Sequence, residues 1–291
     1  MLNDFERMSD HAVNIVESAE EIQDKELKFS EEAINEMKVM IAAVSEILDP
    51  FELMAEQKGL SFTADIKPDI GYKGDKNGNT IFSVSCQHYS FAVNAFVDII
   101  RKFGCYSYDF TLRETQTNEI IDDVAKLKSE IGVLYLSGKN EKVLRKLLQK
   151  NNLVFEPLFT TPLHVFMSSR NPLAKKERLT LADLKPYPYL TYEQGDFNSF
   201  YFAEEPLTAI DFDCPRNIKV RDRATLFNLL IGLDGYTICS GVISHRLNGK
   251  NIIAKPLSVT DKMTVGVVLH KGVALSRYAK AYITALHRHC G

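Results

Sequence analysis

Apolar and polar residues alternate along residues 80–291 in a pattern that predicts strands separated by amphipathic helices. A β-rich run at 80–86 precedes helical apolar spacing over 88–103. The alternation continues through a fully apolar strand at 131–136 and a helix at 141–149. Strands and helices that alternate in this way form a mostly parallel sheet with helices on both faces. The pattern therefore predicts an α/β fold.

The alternation breaks at two places, which predicts a protein of two lobes. Two strand-like pieces flank Thr161 within residues 155–168, and a second series of elements begins at 189–192. The last strand, at 263–270, and the last helix, at 275–289, are expected to return to the first series. The prediction places lobe I at about 80–161 and 266–291, lobe II at about 162–265, and the crossovers near Thr161 and Val265.

The first 49 residues follow a different pattern. Two stretches, from Phe5 to Ile22 and from Ile34 to Leu48, carry apolar residues at alternating three- and four-residue steps. Each stretch predicts a helix with one apolar seam, and two seams predict antiparallel packing. Residues 1–49 are therefore expected to form an N-terminal helical hairpin. We expect residues 50–79 to be a linker with a short helix and a strand.

The composition is that of a folded globular protein, with 45% hydrophobic and 25% charged residues among 291. The sequence has no apolar run long enough to cross a membrane, so we expect a cytoplasmic protein without membrane contact. Its five cysteines are scattered without a CxxC pair, which predicts reduced thiols. Charge is uneven, because residues 1–50 carry 13 acidic and 4 basic residues, a net of −9, and the rest carries +6.

The N-terminal hairpin carries a candidate metal site. Glu6 and Asp10 lie four positions apart, which places both carboxylates on one helix face. The string from Asp4 to Ile15 resembles the signature of the PhoU family of phosphate-signalling helical bundles, and the resemblance implies that Glu6 and Asp10 bind metal. It covers residues 1–49 only, and the sequence holds no second motif of this kind. A solvated acidic face is the alternative interpretation.

Residues 50–76 are similar to the entry into the ATP-binding domain of sensor histidine kinases, on the strength of residues 50–66 and 72–75. The asparagine-bearing helix and the glycine-rich lid that would hold Mg-ATP do not follow in the sequence. The kinase's phosphoacceptor helix is not found before this segment either. The resemblance therefore implies a fragment without kinase activity, which ends in a turn-rich linker at 73–79.

Residues 80–291 contain several longer motifs in a specific order. They are Asn171-Pro-Leu-Ala174, Leu179-Thr-Leu-Ala-Asp-Leu-Lys-Pro-Tyr-Pro188, Val220-Arg-Asp-Arg-Ala-Thr-Leu226 ahead of Gly232, and Gly235-Tyr-Thr-Ile-Cys-Ser-Gly241. In this combination the segment resembles the effector-binding domain of LysR-type transcriptional regulators. The resemblance implies a two-lobed type 2 periplasmic-binding-protein fold, a small-molecule effector and a homodimer.

Members of that family begin with a basic winged helix-turn-helix, and here the acidic hairpin takes its place. A segment of net −9 repels phosphates, so we expect no autonomous DNA binding. The predicted function is sensing of a small-molecule effector, with closure of the lobes as the response. The alternative function is that of a PhoU-like interaction protein in phosphate signalling, which binds metal through Glu6 and Asp10.

The carboxyl ends of the predicted strands gather candidate ligand-binding residues. Ligands of open α/β sheets bind there, where helix N-termini offer free N–H groups. The candidates are Ser85, Cys86, Gln87 and His88 after the first strand, Thr115 and Thr117 after the second, Ser137 after the third, Thr161 at the crossover, and Tyr192, Gln194, Arg221, Ser240 and Gly241 in lobe II. Their hydroxyl, amide and N–H groups suit a small carboxylate or another compact polar ligand.

Several of these candidates also have a structural interpretation. Ser85 and Thr161 are typical of turns and helix caps as well as of ligand contacts. Arg221 is able to pair with an anionic ligand, but Asp222 and Arg223 beside it favour a local charge network equally.

Cys86 and His88 raise the question of catalysis. Residues this close in sequence rarely reach the geometry of a nucleophile and its base, and no third orienting group is evident. A thiol near a helix N-terminus suggests redox sensing, although a buried packing cysteine is the favoured interpretation. The seven histidines show no HxxxH spacing. The sequence therefore predicts neither an enzyme nor a cofactor.

Overall fold

A computed structural model of the protein describes residues 80–103, 108–197, 199, 201–206 and 216–290. The predicted hairpin at 1–49, with Glu6 and Asp10, and the linker at 50–79 lie outside these residues and stay predictions. In the described part of the chain, no helix is long and apolar enough to span a membrane.

Strands and helices alternate through most of the described chain. The strands are β1 (Thr80–Cys86), β2 (Tyr108–Glu114), β3 (Ile131–Ser137), β4 (Leu153–Pro162), β5 (His164–Ser168), β6 (Tyr189–Tyr192), β7 (Asn217–Val220), β8 (Tyr236–Cys239), β9 (Ile252–Pro256) and β10 (Lys262–His270). The α-helices are α1 (Ser90–Phe103), α2 (Thr117–Ala125), α3 (Glu141–Lys150), α4 (Leu181–Leu184), α5 (Arg223–Gly232), α6 (His245–Asn248) and α7 (Arg277–Cys290).

Lobe I is built on a five-stranded sheet with the order β2-β1-β3-β10-β4. Strand β1 pairs in parallel with β2 and β3, whereas β10 runs antiparallel between β3 and β4. Because side chains alternate between the faces of a strand, Phe82, Val84 and Cys86 pack with α1 and α7, while Ser85 faces α2. Helices therefore cover both faces, as the sequence predicts.

The two faces of this sheet have separate apolar cores. Phe82 packs with α1 and α7, where its ring lies 6.1 Å from that of Phe96 and 5.9 Å from that of Tyr282. On the opposite face, Ile120 and Leu134 belong to a second cluster that joins α2 and α3 to the sheet. The apolar residues of these helices recur at helical spacing, which explains why each helix buries one stripe.

Lobe II repeats this arrangement with the strand order β7-β6-β8-β5-β9. Strand β6 is parallel to β7 and β8, and β5 runs antiparallel between β8 and β9. Helix α5 begins after Asp222, whose carboxylate caps the helix by accepting the N–H of Thr225 over 2.8 Å. The helix covers a small core formed by Leu190, Val220, Leu226, Leu230 and Ile252.

The chain crosses between the lobes twice, and each time it enters the antiparallel strand of the sheet that it joins. The first crossing is at Leu163, between β4 and β5, and the second is at residues 257–261, between β9 and β10. The main-chain N–H of Leu257 donates to the carbonyl of Leu163 over 3.0 Å. Both leucines are buried, so the crossings form one hydrogen-bonded connection in the core.

The crossings differ in detail from the sequence-based boundaries. Strand β4 continues through Thr161 to Pro162, and Val265 lies inside β10 rather than at a boundary. Met263 and Val265 are both buried on the same face of the sheet, so the apolar alternation runs unbroken through this point. The polar residues that precede Lys262 mark the crossing instead.

Candidate functional site

The two lobes present equivalent strand ends to a shared cleft. In each sheet the chain moves from its first parallel strand to one neighbour and then to the other. A switch point therefore lies between β1 and β3 in lobe I and between β6 and β8 in lobe II. Ligands of open α/β sheets bind outside the carboxyl ends of the strands at such points. The loops after these strands define the candidate site.

The cleft is open to solvent, and the space between its lining residues, counted together with the adjoining open solvent, is about 520 Å³. Phe166, Leu226, Phe227 and Ile238 form an apolar wall. The polar lining includes His88, Tyr89, Ser90, Tyr192, Glu204, Glu205, Arg223, Thr237 and Ser240. An apolar cavity with a few converging polar groups is typical of small-molecule sites.

His88 connects the two lobes at this site. Its main-chain N–H donates to Glu204 Oε2 over 3.1 Å, and its Nδ1 lies 2.9 Å from Glu204 Oε1 and 3.0 Å from Oε2. The other ring nitrogen, Nε2, lies 3.0 Å from the carbonyl oxygen of Arg221. The ring stacks on Tyr192, with centroids 3.9 Å apart and planes 5° apart. Since both nitrogens face acceptors, the doubly protonated imidazolium is favoured.

The electrostatics of His88 agree with this protonation state. Burial lowers the pKa of His88, but the charge of Glu204 and the hydrogen bond to it outweigh burial, so the pKa is raised above its ordinary value of 6.5. The side chains of His88 and Glu204 are only 4% and 6% exposed. The cleft therefore contains a buried ion pair with one partner from each lobe.

Gln87, Thr117 and Gln194 form a second polar link between the lobes. Gln87 Nε2 donates to Thr117 Oγ1 over 2.7 Å, and Gln87 Oε1 accepts from the Tyr89 hydroxyl over 2.8 Å and the Tyr135 N–H over 3.1 Å. The N–H of Thr117, in the first turn of α2, donates to Gln194 Oε1 over 3.0 Å. Protein partners thus engage these three predicted candidates, which hold the loops in place instead of lining the cleft.

An ion pair forms a third link between the lobes. Arg223 Nη2, in the first turn of α5, lies 2.9 Å from Glu114 Oε1 at the end of β2. The two side chains are 18% and 23% exposed. Burial raises the pKa of Glu114 above its ordinary value of 4.5, and the positive charge of Arg223 opposes this shift.

Three polar side chains that line the cleft retain unused hydrogen-bonding capacity among the described residues: Glu205, Thr237 and, at its buried Nη1, Arg223. Glu205 Oε1 accepts the N–H of Tyr192 over 3.0 Å, whereas its Oε2 has no partner among the described residues. The hydroxyl of Thr237 likewise lacks a partner within the described ranges, although both residues are 3% exposed. Burial, reinforced by the charge of Glu204, raises the pKa of Glu205 well above 4.5 and favours its neutral form. Buried groups of this kind are suited to a ligand.

Three predicted candidates, His88, Tyr192 and Ser240, line the cleft. Thr161 lies beside them, and its hydroxyl donates to the carbonyl of Ser240 over 3.3 Å. Gly241 has a φ of +81°, and a Cβ at this position would lie 2.5 Å from Cγ of His164. Glycine is therefore needed here for a tight turn.

The remaining candidates are engaged outside the cleft. Ser85 Oγ donates to Asp123 Oδ2 over 2.7 Å, on the face of the sheet that carries α2. Cys86 points to the opposite face and is fully buried in the core of lobe I. In addition, the Thr115 hydroxyl bonds to Glu119, the N–H of Ser137 donates to Asn140, and the Arg221 side chain pairs with Glu193.

The geometry argues against covalent catalysis by Cys86. Burial raises the pKa of its thiol well above the ordinary value of 9.0, whereas a nucleophilic cysteine needs a lowered pKa. Both ring nitrogens of His88 are engaged by Glu204 and Arg221, so neither is free to act as its base. Within the described ranges, no group of three or more His, Cys, Asp or Glu side chains is placed to hold a metal ion.

Glu204, Glu205 and Thr237 are not among the residues predicted from the sequence. The two glutamates lie between β6 and β7, in residues 193–216. Connections longer than about 12–15 residues are uncommon and often have a functional role. The length of this connection and its paired carboxylates before Pro206 are a usable signal. Thr237 lies inside the apolar strand β8, where no local pattern distinguishes it from a packing residue.

Fold and cleft together define a two-lobed α/β domain of the ligand-binding kind. The sequence matches the family described as LysR substrate binding domain over residues 88–291. The chain belongs to this family. No curated protein matches the sequence significantly.

Several solved structures of regulators are similar to this chain at low sequence identity. Full-length OxyR from Pseudomonas aeruginosa, solved as a variant, is 14% identical, with a TM-score of 0.52 and coverage of 86% of this chain and 76% of that chain. The reduced OxyR regulatory domain from the same organism is 15% identical, with a TM-score of 0.49 and coverage of 72% and 97%. The effector binding domain of QuiR in complex with shikimate is 16% identical, with a TM-score of 0.46 and coverage of 72% and 96%.

Proposed function

We propose that residues 80–291 form the effector-sensing domain of a LysR-type transcriptional regulator. The observation that carries the proposal is the cleft between the switch points of the two sheets, where Glu205 and Thr237 present buried hydrogen-bonding groups without partners in the described part of the chain. Membership of the LysR substrate-binding family supports this assignment. The domain binds a small molecule and transmits the signal by a change in its conformation.

The response to the effector is a change in how closely the lobes approach. Polar contacts between the lobes, such as His88 with Glu204 and Arg223 with Glu114, favour a closed arrangement even without an effector. The two crossings, joined by the hydrogen bond from Leu257 to Leu163, supply the connection about which the lobes move. An effector shifts this equilibrium only by its differential affinity for the two arrangements.

The sequence suits a small carboxylate or another compact polar ligand as the effector, and the cleft offers donors that suit a carboxylate. The His88 N–H and the hydroxyl of Thr237 both line the same space. Two glutamates, Glu204 and Glu205, line the cleft and would repel an anion if they were charged and unpaired. Glu204 pairs with His88, however, and the raised pKa of Glu205 favours its neutral form.

Thermal unfolding of the whole chain against a panel of small carboxylates, amino acids, aromatic acids and phosphate tests the proposal. An effector at 100 times its dissociation constant adds about 2.7 kcal/mol of stability, which produces a clear shift in melting temperature. Thr237→Val should weaken the shift, whereas Thr284→Val, on the outer helix α7, should leave it intact. If both variants reduce the shift equally, the binding site lies outside this cleft.

We also propose that the domain forms a homodimer, on the basis of its family. Light scattering on the purified chain should give about twice the monomer mass of 32.9 kDa. A monomer mass at micromolar concentration would contradict this part of the proposal.

A further inference from the structure

The geometry points to a carboxylate-binding subsite, made by the N–H and the imidazole ring of His88, which the chain itself occupies with Glu204. We name it the His88 subsite. The inference rests on the proposed function and adds to it, because a carboxylate effector must displace Glu204 in order to bind there. The chain thereby carries a competitor for its own effector.

The contacts of Glu204 are those of a bound ligand. Its Oε2 accepts the His88 main-chain N–H over 3.1 Å, and Oε1 and Oε2 lie 2.9 and 3.0 Å from Nδ1. The glutamate comes from lobe II and His88 from the carboxyl end of β1 in lobe I, so this contact spans the cleft between the lobes. Charge-assisted hydrogen bonds of this geometry are the strong ones in carboxylate recognition.

His88 is built to receive an anion. Its Nε2 faces the carbonyl oxygen of Arg221 over 3.0 Å, which requires a proton there and leaves the second proton on Nδ1, toward Glu204. Stacking on Tyr192 at 3.9 Å holds the plane of the ring. The 14-residue helix α1 begins two residues later, at Ser90, and the positive end of its dipole adds to the attraction.

The His88 subsite opens into the cleft between the lobes. The lining of the cleft continues to the apolar rings of Phe166 and Phe227. The hydroxyl of Thr237 and Oε2 of Glu205 are buried there without partners among the described residues. A fitting ligand is therefore a compact monocarboxylate with an apolar body and a second polar group that bonds to Thr237 or Glu205.

The segment that carries Glu204 is anchored on both sides of the carboxylate. The Tyr135 hydroxyl donates to the carbonyl of Ala203 over 2.9 Å, and Glu205 accepts the N–H of Tyr192. These anchors hold Glu204 at a high local concentration next to His88. An effector binds only to molecules in which Glu204 has left the subsite. Its apparent affinity is therefore the intrinsic affinity multiplied by the fraction of molecules with a vacant subsite.

Chemical rescue of Glu204→Ala with acetate tests the inference. In this variant the subsite is vacant, and acetate should restore melting temperature in a saturable manner. We expect acetate to bind at least about tenfold more tightly to the variant than to the wild type. Adding His88→Gln should abolish the rescue. Glu156→Ala, which removes an exposed glutamate of β4, is the matched control and should respond to acetate like the wild type.

Two results would overturn the inference. One is an equal acetate response in the wild type and Glu204→Ala, because Glu204 would then not compete for the subsite. The other is no acetate response in a folded Glu204→Ala protein, as judged by circular dichroism. If that variant does not fold, Glu204→Gln keeps the shape without the charge, and its acetate affinity should still exceed that of the wild type; equal affinity would overturn the inference as well.

Failure of the proposed function gives a different result from failure of the subsite. Rescue by acetate that depends on His88, without any panel compound that stabilises the wild type, would support the subsite and contradict the sensing function. A panel carboxylate that stabilises the wild type and Glu204→Ala with equal affinity would support sensing and overturn the competition by Glu204.

Discussion

Lobes I and II share one strand order but differ in how the chain completes their sheets. In both, three parallel strands are followed by an antiparallel fourth and a fifth strand at the edge. Lobe II obtains its antiparallel strand, β5, at the start of its continuous segment, whereas lobe I obtains β10 only after the chain has built lobe II. The two lobes therefore have the same topology, but lobe I is unable to complete its sheet by itself, because it needs a strand that follows lobe II in the sequence.

The lobes also contribute different chemistry to the cleft. Lobe I offers donors, through the N–H and imidazole of His88, whereas lobe II offers carboxylates, through Glu204 and Glu205. Lobe II also contributes donors, namely the Thr237 hydroxyl and Arg223, which pairs with Glu114 of lobe I. Because opposite charges face each other across the cleft, the lobes attract each other without a ligand, and the proposed effector would act by replacing these contacts.

The largest effect is expected where β10 enters lobe I. A Cβ at Gly266 would collide with the main-chain carbonyl of Glu156, which cannot rotate away, so Gly266→Ala should cost about 3 kcal/mol in unfolding free energy. In lobe II, a Cβ at Gly235 would meet the end of the Leu190 side chain, which is able to move, and Gly235→Ala should cost about 1 kcal/mol. Urea unfolding measures both.

Gly138→Ala is the control, because a Cβ there meets no atom within 4 Å and should change stability by at most about 0.5 kcal/mol. Equal losses for Gly266→Ala and Gly235→Ala would show that β10 is no more constrained than the strands of lobe II.

A smaller effect is expected from the ion pair between the lobes. A double-mutant cycle with Glu114→Gln and Arg223→Gln should give a coupling free energy of about 1–2 kcal/mol, because both side chains are largely buried. The same cycle on Arg145 and Glu141, an exposed pair within α3, should give at most about 0.5 kcal/mol. Similar couplings for the two pairs would mean that solvent screens the cleft as fully as the surface.

The smallest effect concerns the buried glutamates of the two lobes. Glu205 of lobe II has an oxygen without a partner in the described residues, and its raised pKa means that the folded state keeps a proton that the unfolded chain loses above about pH 4.5. Stability contributed by this proton is therefore lost as pH rises. Glu205→Gln should raise stability at pH 8 by about 1 kcal/mol more than at pH 5, in urea unfolding at the two values.

Glu130 of lobe I gives the opposite expectation. Both of its oxygens accept hydrogen bonds from Ser276, over 2.6 and 2.9 Å, so Glu130→Gln should destabilise the protein at pH 8.

The raised pKa of His88 also makes stability fall as pH rises above 6.5, and this slope should persist in Glu205→Gln. A variant of Glu205 with an unchanged pH profile would refute the proposed protonation state.

Much of the fold could be predicted from the sequence, because alternation of apolar residues reports which elements exist. The parallel strand at 131–136 and its neighbouring helices, and the return of the last strand and helix to lobe I, are confirmed. Boundaries are harder to predict. Val265 lies in an apolar run without a turn residue, so nothing local distinguishes the middle of β10 from its beginning.

The site was less predictable, because it depends on which face each residue occupies and on distant partners. Ser85 follows Val84 in a strand whose alternate residues face opposite sides, and this parity alone places its side chain under α2. His88 could be chosen from its position after β1. Its partner Glu204 lies 116 residues further along the chain, and only the packing of the lobes brings the two together.

The position of β10 at the end of the chain also affects synthesis on the ribosome. The strands of lobe II, β5 to β9, are able to pair with each other as soon as they emerge. In contrast, β3 and β4 lack their shared partner strand until residues 262–270 are made. Unpaired strand edges are the parts of a nascent chain that aggregate or recruit chaperones. The lobe that is translated first is therefore the one that finishes folding last.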